Sequence, residues 1–319
     1  MAVKRGRKPG VVSERRATKR LPTISIVGAG RLGTALARAL AAHGYEIEAV
    51  VARTLRHARR AARLIGTHPL AFASTQLAQL PSSDILFITT PDDLLAEVAA
   101  QLAALLPASM KKESRRARTA LHASGALSSA VLQSLTEAGF STGSMHPLVS
   151  VSDPVQGAKS LGSAFFCVEG NPAAIRVARS LVRSLGAQSF SISADKKALY
   201  HAAAVMASGH TTALFDIAME MLTRCGLTKL RARAVLLPLL RSTLENLCTT
   251  DPAHALTGTF ARADSATVER HLAALRGQAL PEALAAYLLL GERSLQLAKS
   301  AGARPDALKE IAQALKRRG

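Results

Sequence analysis

The sequence has no tryptophan, three tyrosines and eight phenylalanines among 319 residues. So few aromatic faces argue against stacked-base recognition of single-stranded nucleic acid. The three cysteines, Cys167, Cys225 and Cys248, are odd in number, widely spaced and without a Cys-x-x-Cys pair. They build neither a disulfide framework nor a zinc site, no metal is expected, and a reduced cytoplasmic compartment is the simplest reading. No apolar run approaches the ~20 residues that span a bilayer, and the first residues are polar and basic rather than a secretory core. Acids are scarce: 22 Asp and Glu stand against 41 Lys and Arg, for a net charge of +19.

That charge is unevenly spread. Residues 1–20 hold eight Lys and Arg against one acid, Glu14, and show no apolar periodicity, so this basic tail is expected to be disordered. It reads either as a solvated extension or as an arm whose arginines flank glycine and enter a narrow minor groove. Nucleic acid is not expected as a partner except through this tail.

What is present is clearest at Ile24-Ser25-Ile26-Val27-Gly28-Ala29-Gly30-Arg31-Leu32-Gly33. A short apolar strand feeds a Gly-x-Gly-x-x-Gly turn, and Leu36, Leu40 and several alanines continue at helical spacing. Gly28 permits the tight turn, Gly30 lets a pyrophosphate approach the backbone, and Gly33 lets the helix pack on the strand. Ala29, Arg31 and Leu32 complete the phosphate-facing turn at the helix N-terminus.

From Pro22 to about Ser193, short apolar runs alternate with alanine- and leucine-rich helix patterns, the signature of a doubly wound parallel sheet. Strands are expected near 23–28, 46–52, 84–90, 118–122, 140–145, 164–168 and 188–192. After Asp195 only helix patterns remain. The organisation expected is a tail (1–20), a Rossmann-type α/β domain that binds a dinucleotide (21–193) and a smaller all-α domain (194–319).

Dinucleotide sites selective for NAD carry an acid at the end of the second strand. Here that strand ends Val50-Val51-Ala52-Arg53-Thr54, with no acid at its tip. Arg53 could stack on adenine and pair with a 2′-phosphate, and Thr54 could donate to it, which favours NADP(H). Thr90 and Pro91, in the turn after the 84–90 strand, are placed to cover the cofactor, while Asp92 reads as a cap for the next helix.

The helix opening the all-α region reads Lys197-Ala198-Leu199-Tyr200-His201 and continues to Ser208-Gly209-His210. At 100° per residue Lys197, His201, Ser208 and Thr211 share one stripe, bordered by Tyr200. Buried without partners these groups would be costly, so the stripe is expected to line something polar. Lys197 could donate a proton to a carbonyl or imine, or anchor a carboxylate, and His201 could share either task. Ser124, in His122-Ala123-Ser124-Gly125, and His146, in a loop before Pro147, follow successive strands and so lie where open α/β sheets bind ligands. Ser124 could bond the nicotinamide amide or the substrate. His146 could contact a substrate acid or carbonyl, or simply pack the turn.

Over about residues 23–276 the chain resembles a bacterial family in which a Rossmann-like domain assigned as an oxidoreductase is fused to a helical domain of unknown function. The resemblance rests on the glycine turn, His122-Ala123-Ser124-Gly125, Met145-His146-Pro147-Leu148, Leu199-Tyr200-His201-Ala202-Ala203-Ala204, Leu237-Pro238-Leu239 and Ala255-Leu256-Thr257-Gly258. The family tends to read Gly-Pro and Arg-Gly-Asp in the last segment, where this chain has Gly258-Thr259 and Arg262-Ala263-Asp264. More distantly the layout is similar to pyrroline-carboxylate reductase, prephenate dehydrogenase and hydroxyacid dehydrogenases of the phosphogluconate dehydrogenase type. In the last group a lysine followed three and four residues later by asparagines does the acid–base work. Lys197, Tyr200 and His201 keep that spacing with different partners. The resemblance implies an NADP(H)-dependent oxidoreductase of a small carbonyl or imine, a carboxylate-bearing compound such as ketopantoate being one possibility. It also implies a homodimer through the helical domain, for which Ala283–Leu290 could serve unless it only fills a monomer core. The rival reading is a non-catalytic NADP(H)-sensing protein whose tail contacts DNA or a protein.

Overall fold

A computed structural model describes residues 20–105 and 118–317; residues 1–19 of the basic tail lie outside them. Eight strands form one sheet in the order β3-β2-β1-β4-β5-β6-β7-β8. They are β1 (Ile24–Val27), β2 (Ile47–Ala52), β3 (Leu70–Ala73), β4 (Ile85–Ile88), β5 (Thr119–His122), β6 (Ser141–Leu148), β7 (Phe165–Gly170) and β8 (Gln188–Phe190). Helices α1 (Arg31–Ala42), α2 (Leu55–Ile65), α3 (Leu95–Ala104), α4 (Gln133–Glu137), α5 (Pro154–Ser160) and α6 (Pro172–Ser184) connect them.

The central strands are apolar on both faces because helices cover both. Ile24, Ile26 and Phe87 point into one core with Leu36 and Leu40 of α1 and Leu181 of α6. Val27, Leu86 and Ile88 point into the other, with Leu95 and Leu102 of α3. Sequential order reverses between β1 and β4, so a crevice opens where α1 and the chain after β4 leave the sheet on opposite sides.

Two features differ from the sequence reading. The sheet is mostly rather than wholly parallel: β6 pairs antiparallel with β7, from Gly143↔Gly170 to Leu148↔Phe165. This pairing extends β6 through Pro147, so His146 stands on a strand and not in a loop. The edge strand β3 was also missed, for it is four residues long, and Leu70 at its start is exposed.

Contacts divide the chain into two compact units between Ala204 and Val205. Residues 194–204, grouped from sequence with the helical region, belong to the first unit, which therefore contains most of α7 (Lys197–Val205). The second unit begins with a π-helical turn, Met206–His210. It continues with α8 (Thr211–Arg224), α9 (Lys229–Thr249), α10 (Pro252–Ala255), α11 (Gly258–Ala261), α12 (Ser265–Gly277), α13 (Pro281–Ser300) and α14 (Pro305–Lys316). Val268 and Leu272 of α12 pack with Ile311 and Leu315 of α14, and Leu284, Tyr287 and Leu288 of α13 close over them. Ala263 has φ of 51°, in the left-handed region that favours glycine. Among the described residues no helix is long and apolar enough to cross a membrane.

Candidate functional site

The glycine turn has the shape a dinucleotide needs. Gly28 has φ of +102°, and a Cβ there would lie 2.6 Å from the Thr89 carbonyl carbon and the Thr90 nitrogen. A Cβ on Gly33 would overlap the Thr89 hydroxyl, which itself donates to the Gly28 carbonyl at 2.7 Å. Gly30 is different: its Cβ would meet only the Gly28 oxygen, at 3.9 Å. Gly28 and Gly33 are thus small for the fold's sake, and Gly30 faces open space. The first N–H groups of α1, at Arg31, Leu32 and Gly33, have no intrahelical acceptor, and no acid stands in that first turn. Ala29 is held back on β2, its N–H donating to the Val51 carbonyl at 2.7 Å. Across the crevice the buried Thr90 hydroxyl has no partner among the described residues. A free helix N-terminus, an open glycine and an orphaned hydroxyl fit a pyrophosphate, with Gly28–Gly33, Thr90 and Pro91 as the residues that would hold the dinucleotide.

At the tip of β2, Arg53 is exposed and has no ion pair among the described residues. The Thr54 hydroxyl, expected to meet a 2′-phosphate, caps α2 instead. It accepts from the His57 backbone N–H at 3.4 Å and pairs with His57 Nδ1 at 2.9 Å. Arg53 is the group there left free for an anion.

A cleft of about 390 Å³ in the first unit is lined by Arg31, Leu32, Asp92, Ser124, Gly125, His146 and His201, among others. The expected residues meet here, with duties the sequence did not reveal. The Ser124 hydroxyl donates to Asp92 Oδ2 at 2.8 Å and accepts from the N–H groups of Ala126 (3.2 Å) and Leu127 (3.0 Å). One donor and two lone pairs are all a hydroxyl has, so it is fully engaged. Asp92, read from sequence as a helix cap, makes no side-chain cap bond and holds Ser124.

Lys197 is buried, 1% exposed, and does not line the cleft. Its Nζ donates to the Ser124 carbonyl at 2.9 Å and to the Ser144 hydroxyl at 2.8 Å, tying the ends of β5 and β6 together. The polar surroundings expected for the stripe are, at Lys197, an internal carbonyl and hydroxyl. Burial lowers the Lys197 pKa, opposed by Cys167, Glu169 and Asp92. Its charge and burial act on the neighbouring imidazoles. His122 is pushed down to about 3, first by burial and then by Lys197. His146 falls to about 4 for the same two reasons, with His201 adding to them. His122 Nδ1 accepts from the Ser124 N–H at 3.1 Å, and its Nε2 meets the Ser128 carbonyl at 3.2 Å.

His146 Nδ1 lies 2.7 Å from the Tyr200 hydroxyl, whose pKa burial raises. His201 Nδ1 is buried without a partner among the described residues. The rings of His146 and His201 stand edge to face, centroids 5.6 Å apart. Ser208 is exposed in the second unit, within the π turn. That turn breaks the 100° phase on which the stripe from Lys197 to Ser208 and Thr211 depended. Tyr200, Asp92, Ser144 and Gly125 complete the site. Their sequence signal was adjacency, three to the serine–glycine turn and β-strand ends and one to the Lys197 helix.

Two family models match the chain: a Rossmann-like domain over residues 8–147 and the domain of unknown function DUF2520 over residues 164–294. Among solved structures, a Thermotoga maritima protein is similar at 22% identity and a TM-score of 0.66, covering 87% of this chain and 99% of its own. A Bacteroides fragilis protein described as a candidate NADP oxidoreductase follows at 21% and 0.65, covering 88% and 97%. A pyrroline-5-carboxylate reductase from Coxiella burnetii matches at 13% and 0.55, covering 92% and 98%. At these identities the likeness is one of fold. No curated protein matches the sequence. The chain is thus similar to a Rossmann-like domain up to Pro147 and, from β7 into the helical unit, to DUF2520.

Proposed function

We propose that this protein is an NADP(H)-dependent oxidoreductase acting on a small carbonyl or imine compound that bears a carboxylate. The observation that carries the reading is one continuous cleft. It runs from Arg31 and Leu32, at the N-terminus that would face a pyrophosphate, to the imidazoles of His146 and His201. When bound, the dinucleotide supplies or accepts a hydride. The chain's own residues do the rest. Arg31 offers a cation to a substrate acid, His146 and His201 face the reacting group, and Ser124, Asp92 and Lys197 hold the strand ends that carry them. Arg53, with no acid beside it, supports NADP(H) over NAD(H).

Titration with NADPH and NADH, followed by nicotinamide fluorescence, tests the reading. NADPH is expected to bind more tightly, and Arg53→Asp to remove at least a tenfold preference. Failure of both cofactors to bind defeats the proposal. A panel of small oxo acids and imines then identifies what is turned over.

We further propose a homodimer through the helical unit. Helix α9 is 21 residues long with only Ala232 buried, and Val235, Leu239, Leu244 and Leu247 are each at least 47% exposed. So many exposed apolar side chains on one helix favour a second copy. The stretch Ala283–Leu290 divides its work: Leu284, Tyr287 and Leu288 pack inward while Leu289 is 70% exposed.

A further inference from the structure

Helix α2 carries a charge that the fold does not use. Arg56, Arg59, Arg60 and Arg63 are exposed, while Ala58, Ala61, Ala62 and Ile65 are buried. Residues three, four and seven apart share one helix face, so the four guanidiniums form one stripe. Among the described residues none of them makes a side-chain hydrogen bond or an ion pair. The stripe costs the helix stability rather than adding to it. Arg56 stands in the first turn, where the dipole favours anions, and like charges three and four residues apart repel.

The neighbouring elements supply no acid. No Asp or Glu stands between Glu48 and Asp84. Helix α1, whose Arg38 donates to the Leu64 carbonyl of α2, has none either. Glu46 pairs with Arg20, and Glu48 accepts from the Ser83 hydroxyl. Residues 20–83 thus hold eight Arg against two acids. The other described residues of the first unit, 84–105 and 118–204, hold seven Lys and Arg against eight acids. The excess charge of the unit is gathered on the β1, β2 and β3 side of the sheet.

We propose that this face of α2 binds the phosphate backbone of double-stranded DNA without regard to base sequence. The cations are all arginine, whose planar fork matches phosphate oxygens two at a time. From Arg56 to Arg63 the helix rises ~10 Å, comparable to the ~12 Å width of the major groove, so the ends of the stripe reach phosphates on its two sides. The major groove of duplex RNA is too narrow for that span. A membrane surface would need apolar side chains beside the cations, and those of α2 are turned to the sheet. Single strands would need aromatic faces, of which α2 has only His57. The tail adds to the same end of the sheet. Residues 1–19 hold seven more Lys and Arg, and they join the described residues at Arg20, beside Glu46 at the start of β2. In a parallel sheet that is the end at which α2 finishes. Arg53 is left to the dinucleotide, so this surface stands apart from the cleft.

Fluorescence anisotropy of a labelled DNA duplex with the full chain, between about 50 and 200 mM salt, tests the proposal. Binding is expected to weaken steeply with salt. Arg59→Gln, Arg60→Gln and Arg63→Gln together are expected to cost at least about tenfold in affinity and to lower the salt slope by about 2–3. The melting temperature and NADPH affinity should stay as in the parent. Removing the exposed charges of α6 by Arg176→Gln, Arg179→Gln and Arg183→Gln serves as the control, and it is expected to spare the α2 contribution. Deletion of residues 1–19 should leave binding that the α2 substitutions then abolish. No binding by the parent at the lowest salt overturns the proposal, as does unchanged affinity in the α2 variant. Equal loss in the α6 control, or complete loss on tail deletion alone, also overturns it. Tighter binding of duplex RNA or of phosphatidylserine vesicles than of DNA does the same.

Discussion

Gly28 and Gly30, two residues apart, answer to different masters. At Gly28 a methyl group meets the backbone of Thr89 and Thr90 at 2.6 Å on a left-handed φ, and neither clash can be relieved by turning a side chain. Gly28→Ala is expected to destabilise the fold by several kcal/mol. At Gly30 the conformation is extended, with φ −78°, and the space is open. Gly30→Ala should cost no more than about 1 kcal/mol as a helix N-cap change. It should nevertheless weaken NADPH at least tenfold, because the methyl occupies the phosphate's approach. Thermal melting beside a fluorescence titration checks both. Equal losses of stability in the two variants would refute the division between structural and ligand-facing glycines.

At the scale of elements, the strand ends carry a pH dependence. His122 on β5 and His146 on β6 have folded pKa values of about 3 and about 4, against 6.5 for a free imidazole. The unfolded chain therefore binds protons that the folded chain refuses. Their contribution to stability is complete above about pH 6.5 and is lost as pH falls toward 4 and then 3, by at most about 1.4 kcal/mol per pH unit for each histidine. Denaturant melts from pH 8 to pH 4 should show this decline, and His122→Gln should flatten it. A decline of the same slope in the variant would contradict the assignment. What sequence could show follows the same elements. The glycine turn was legible because strand, turn and helix each impose a residue type at fixed spacing, and β1, α1, β2 and α2 followed from it. The β6–β7 pairing was not legible, since alternation along a strand does not encode its partner's direction, and Pro147 reads as the end of a strand until an antiparallel neighbour accommodates it. Lys197 was found by spacing but misplaced, because the carbonyl and hydroxyl that accept its protons lie 73 and 53 residues away in sequence. The pairing of His146 with Tyr200 was invisible for the same reason.

At the scale of the whole molecule, the exposed face of α9 predicts association. Leu239→Lys, 63% exposed in the single chain, should turn a dimer into a monomer by sedimentation velocity while leaving the helix content unchanged; a parent protein that is already monomeric at micromolar concentration would sink the dimer. Lys197 has a consequence for where the chain can be divided. Cut where strand signals stop, after Ser193, the α/β portion loses the amine that closes it, and the Ser124 carbonyl and Ser144 hydroxyl stay behind in its interior with only their long mutual bond of 3.3 Å, having lost the shorter, charge-assisted ones. Cut after Ala204, the fragment keeps its own stopper, together with Tyr200 and His201. Residues 20–204 should therefore melt cooperatively and retain dinucleotide, and residues 20–193 should not, so the first turns of a helix that reads as the start of the second domain serve as the last piece of the first.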